Sequence, residues 1–166
     1  MSQRGRSYSL PGYSLGGLVT KQALITAREH EKTQSEYDDY TGILRNAVGI
    51  RYLGTPHKGS DQAIWDGIAR NSAKIPRKDQ DDTIVDALRR GSSTLESLQS
   101  FFTGISDRFQ SSTLIEERAY PHFGKIVDRE SAVLYLPKGT RNFVPRPPPG
   151  NFYDLAAFMR QASKEW

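Results

Sequence analysis

Apolar positions in the first fifth of the chain recur with helical spacing. Leu15, Leu18, Val19, Ala23, Ile25 and Ala27, set among Thr20, Lys21, Gln22 and Arg28, predict a helix over about 15 to 32, broadly buried near its start. The polar run "EHEKTQSEYDDYTG" then reads as the helix end plus a solvated connection closing at Gly42. The pattern changes at 47 to 53, a short and largely apolar stretch between Asn46 and Gly54-Thr55-Pro56. That suits a buried parallel strand, with Pro56, which has no backbone donor, expected to end it.

Farther along, 61 to 82 are irregular and highly charged, the reading of a loop or part of a lid. Ile84, Leu88, Leu95, Leu98, Phe102, Ile105 and Phe109 return at helical steps and predict two helices broken near Gly91. The apolar pairs Leu114-Ile115 and Ile126-Val127 predict two more short strands, and "PRPPPG" a stiff extended segment. In the tail, a cap at Asn151 and a face of Leu155, Phe158 and Met159 predict a terminal helix. Strands alternating with helices, and no internal repeat, give an α/β fold with a mostly parallel sheet.

At 166 residues a single domain is expected. With 36% hydrophobic and 25% charged residues the chain has an ordinary globular composition. A net charge of +4 and a pI near 9.4 invite a nucleic-acid partner, yet the basic residues are scattered among 19 acids with no basic block, so none is expected. The absence of cysteine excludes disulfides, thiolate-bound zinc and a thiol nucleophile. No apolar h-region follows the N-terminus and no run approaches the roughly 18 apolar residues of a membrane span, which makes a cytoplasmic location the default expectation.

Candidate chemistry begins at "LPGYSLGGLVTKQAL". Gly12-Tyr13-Ser14-Leu15-Gly16 is a Gly-x-Ser-x-Gly sequence between a candidate strand and a helix, the setting in which that motif forms a nucleophile elbow. Glycines on either side would remove Cβ atoms where strand and helix pass closely, Ser14 would sit at the helix N-terminus, and the Leu15 N–H would face a developing oxyanion. A chance match in a loop is the competing reading.

"GYSLGGLVTKQAL", "GIRYLGTPHKGS" and "KIVDRESAVLYLP" together resemble the serine esterase and lipase-like branch of the α/β-hydrolases. That branch is common in fungi as a module ahead of NTPase, ankyrin or tetratricopeptide regions. It is similar to animal serine-active-site proteins and, more distantly, to inositol deacylases of lipid anchors. The resemblance covers about 12 to 158 and implies ester hydrolysis through an acyl-Ser14 intermediate, an ester or lipid-like small-molecule substrate and no cofactor or metal. It puts Glu116, with Glu117 beside it, at the position of the triad acid, an exposed glutamate at a strand end being the alternative reading, and it aligns Phe152 with the position of the family's histidine. Of the three histidines, His30 in a charged helix end and His122 in a Tyr-Pro-His loop read as surface residues, and His57, in the "GTPH" turn, is the candidate base, with a structural role in the turn as the favoured alternative.

The resemblance also implies strands upstream of the elbow, where only about a dozen residues precede Ser14. The chain therefore reads as the C-terminal half of such a domain over 1 to 166, with further domains in a larger parent protein. Its segments are an elbow strand and helix (7–32), a strand and GTPH turn (47–60), a helical or lid region (61–110), the last strands (112–136), a Pro-rich loop (145–150) and the terminal helix (151–165). A catalytically dead or truncated derivative, acting as a binding or signalling module, is the rival expectation.

Overall fold

The computed structural model describes residues 7–32, 39–59, 87–115, 127–136 and 142–143. Strand β1 (Tyr8–Tyr13) leads through a tight turn into α1 (Gly16–Lys32), and α2 (Asp39–Asn46) runs directly into β2 (Ala47–Leu53). Helix α3 (Ser93–Thr103) is followed by a single 3₁₀ turn at Ser106–Arg108 and by β3 (Gln110–Leu114). A one-turn helix, α4 (Arg129–Ala132), precedes a two-residue strand, β4 (Asn142–Phe143). The strands form one parallel sheet in the order β1-β2-β3-β4.

β2 lies between two neighbours, and its sequence suits that place: Ala47, Ile50, Tyr52 and Leu53 are all buried. β1 carries Ser9 and Pro11 where a central strand would be apolar. Among the described strands it stands at an edge, mostly exposed, and tolerates a proline opposite Arg51 because an edge strand can spare a ladder donor. The main core fills one face of the sheet. Leu24, Ile25 and Ala27 of α1, Leu44 of α2 and Phe102 of α3 close over Ile50 and Tyr52. The Phe102 ring meets Tyr52 edge-on at 6.5 Å and stacks on Phe109 at 6.4 Å. Tyr13, Leu53 and Leu114 make a smaller cluster apart from it.

Several elements differ from the sequence pattern, each for a packing reason. The connection expected up to Gly42 contains helix α2, which runs through that glycine because Leu44 is buried against α1 and the Asn46 amide donates to the Gly42 carbonyl at 3.0 Å. The break at Gly91 is real, with φ +72, and α3 starts just after it, capped by Ser92; residues 88–91 form a turn, and of the helix expected before the break only Ala87, which is helical, lies within the described residues. Val127 is no strand residue. It anchors a small core with Ile115 and Ala132, and Asp128 turns the chain into α4 by accepting the Ser131 N–H at 2.8 Å. The charged stretch 61–82, the Pro-rich loop 145–150 and the terminal helix 151–165 lie outside the described residues.

Candidate active site

Ser14 occupies the turn between β1 and α1 with φ +50, and among the described residues no other non-glycine has positive φ. An L-residue held there costs roughly 1–2 kcal/mol, so the surroundings must impose it. Its N–H donates to the Leu53 carbonyl at 2.9 Å, and its own carbonyl accepts from Gly17 at 3.1 Å. Leu18 and Val19 then bond back to the Leu15 carbonyl, starting the helix. Tyr13 is in register with Leu53, so the turn stands at the C-terminal edge of two adjacent parallel strands, where ligand sites of α/β sheets form.

The glycines divide the work unevenly. A Cβ on Gly12 would lie 2.6 Å from the Gly17 Cα, and one on Gly17 would lie 2.1 Å from the Thr55 Oγ1. A Cβ on Gly16 would meet nothing within 4 Å. The strand–helix approach therefore needs Gly12 and Gly17, not the Gly16 of the written motif.

The second sequence block reaches the elbow through Thr55, whose fully buried hydroxyl donates to the Gly12 carbonyl at 3.2 Å. His57 comes two residues later. Its backbone N–H bonds the carbonyls of Thr55 (3.0 Å) and Ser131 (2.8 Å), while its buried ring stands edge-on against Tyr52 at 4.6 Å. Neither ring nitrogen has a hydrogen-bond partner, so in this arrangement His57 does not hold the Ser14 hydroxyl. Burial, and then the nearby Lys21 charge, hold the imidazole well below its ordinary pKa.

Lys21 is a buried polar residue that the pattern of the sequence did not single out. Its ammonium donates to Gln99 Oε1 at 2.7 Å and lies 5.8 and 5.4 Å from the Tyr52 and Phe102 ring centres; burial pushes its pKa down to about 7. The available signal was its place between Leu18 and Leu24-Ile25, on the apolar stripe of α1. Burial likewise raises the Tyr52 phenol, which has no hydrogen-bond partner.

The third block closes the set. The Ser131 hydroxyl donates to the Gly59 carbonyl, Lys58 pairs with Glu130 at 3.2 Å, and Arg90 pairs with Asp128. Opposed contributions act on the Asp128 carboxyl: burial raises it, but bonds from Ser131 and Arg90 win and hold it low. Glu116 and Phe152 lie outside the described residues. A groove of about 300 Å³ runs along Ile25, Arg28, Phe101 and Ile105, on later turns of α1 than the one that follows Ser14. Among the described residues no helix is long and apolar enough to cross a membrane, and no three His, Asp or Glu gather as a metal site.

Parallel strands joined through helices, with a strained serine at a strand–helix turn on their C-terminal edge, define an α/β-hydrolase-like fold. The structure is similar to that of the lipase BlEst2 of Bacillus licheniformis in its mature form, with a TM-score of 0.57 and 19% identity, over 95% of this chain. The chain spans 66% of the length of that lipase chain. No protein-family model matches it, and no curated protein does.

Proposed function

We propose that this chain is the nucleophile-bearing part of a serine hydrolase of the esterase or lipase type, related to the serine esterase modules its three sequence blocks resemble. Ser14 Oγ attacks the ester carbonyl, the alcohol leaves, and water releases the acid from acyl-Ser14. The Leu15 N–H, at the head of α1 where a helix leaves its first donors without intrahelical acceptors, receives the oxyanion. Glu116 is the candidate acid. His57 is the candidate base from sequence, but its buried ring fits a structural wedge better. The substrate is an ester or lipid-like small molecule.

The observation that carries this reading is the φ of +50 at Ser14 on the C-terminal edge of the sheet. The likeness to a lipase supports it. A second reading, a hydrolase-derived module without turnover, is favoured by one feature: no hydrogen bond joins His57 to Ser14. Fluorophosphonate labelling read by intact mass separates the two. Stoichiometric adduct that disappears in Ser14→Ala is the expected result; a folded protein that takes up no label gives the second reading.

A further inference from the structure

We infer that Thr55 is a positioning residue for Ser14, holding the strand arm and the helix arm of the elbow at once. The inference rests on the reading of Ser14 as the nucleophile. The Thr55 hydroxyl donates to the Gly12 carbonyl on β1. The same side chain lies flush against Gly17 on α1, where an added Cβ would come within 2.1, 2.6 and 2.9 Å of Thr55 Oγ1, Cγ2 and Cβ.

Ser14's own bonds do not set the angle between those arms. Its N–H is tied to Leu53 and its carbonyl to Gly17, which fixes the pivot alone. A non-glycine backbone at positive φ persists only where its surroundings over-determine it, and the Thr55 side chain touches both arms beside the direct approach of Gly12 to Gly17. Thr55 is itself held from three sides. Gly54, at φ +52, donates to the Leu114 carbonyl at 3.0 Å; the Thr55 carbonyl accepts from His57; and His57 is anchored in turn by Ser131. The path therefore runs from the sheet and α4, through Thr55, to the backbone on both sides of Ser14. The hydroxyl serves both arms: it donates to Gly12, and its oxygen is the Thr55 atom nearest the place a Gly17 Cβ would take.

Thr55→Val keeps the shape and removes the donor, whereas Thr55→Ser keeps the donor and removes the methyl. The second-order rate of fluorophosphonate labelling of folded protein is expected to fall about tenfold or more in Thr55→Val, since a small misplacement of a reacting group has that scale of effect. It is expected to return close to the wild-type rate in Thr55→Ser. A wild-type rate in folded Thr55→Val overturns the inference, as does equal slowing in both variants. Thr55→Ala carries the same expectation should Thr55→Val not fold. Amide hydrogen exchange at Ser14, Leu15 and Gly17 gives a second readout, faster in Thr55→Val and restored in Thr55→Ser. If the wild-type protein takes up no label, the hydrolase reading falls and exchange alone decides. Equal protection in wild type and Thr55→Val then removes Thr55 from this role.

Discussion

At Gly16 and Gly17 two neighbouring residues of one kind have opposite surroundings. Gly17→Ala drives a methyl into Thr55, a fully buried group with nowhere to go, and overpacking of that sort costs about 1–3 kcal/mol. Gly16→Ala meets open space at the exposed start of a helix and is expected to be neutral or stabilising by a few tenths of a kcal/mol. Urea unfolding of the two variants checks the contrast; similar midpoints would contradict it. The spelling Gly-x-Ser-x-Gly was legible at once, but not which glycine is pressed, because the pressing atom belongs to a residue far along the chain. The same limit applies to Lys21 and His57. Their burial follows from partners on α3 and β2; the local pattern marks Lys21 only by its place on the apolar stripe of α1 and does not mark His57.

Helix α3 shows what an apolar stripe can and cannot tell. Phe102, read as a stripe residue, is fully buried, and Gly91 breaks the chain as its residue type suggests. Between Ala87, which is helical, and α3, Ser92 ties the chain back by donating to the Ala87 carbonyl at 2.6 Å. Ser92 also accepts the Leu95 N–H at 3.3 Å, capping α3. Ser92→Ala removes both bonds and is expected to lower stability by about 1 kcal/mol, measured by thermal or denaturant unfolding. Because α3 carries Gln99 and Phe102, the same variant should loosen the packing around Lys21. β4 was invisible to pattern reading because a two-residue strand has no period, and Val127 was misread because one buried anchor beside a cap looks like a strand end.

For the whole molecule, the α/β class was legible from alternating patterns, and the three motif blocks prove to be contact partners: Gly12 and Gly17 meet Thr55, and Ser131 meets His57 and Gly59. Of the candidate site, the strand–helix turn at Ser14 and the head of α1 were legible in the sequence, while Glu116 and Phe152 lie outside the described residues. Among the described residues, two buried bases contribute to the pH dependence of stability at and above neutral pH and just below it. Lys21 is neutral in the folded protein above about pH 7 but stays charged in the unfolded chain up to about 10.5, so unfolding takes up a proton between those values. Its contribution makes stability rise with pH across that window, by about 2 kcal/mol between pH 7.5 and 9.5. His57, held well below 6.5, adds a further loss as pH falls through and below that value. Denaturant melts at pH 7.5 and 9.5 are expected to show the gain in wild type and its disappearance in Lys21→Met; a parallel rise in the variant would assign the effect elsewhere.

The bond from Ser14 to Leu53, and the one from Thr55 to Gly12, also set an order of events during synthesis. Ser14 emerges before Thr55, and parallel neighbours can meet only after the whole crossover between them exists. A ribosome that has released only β1 and α1 has made a serine with no reason to adopt positive φ. The shape of the elbow is a property of the finished sheet, acquired once β2 and the turn after it have docked.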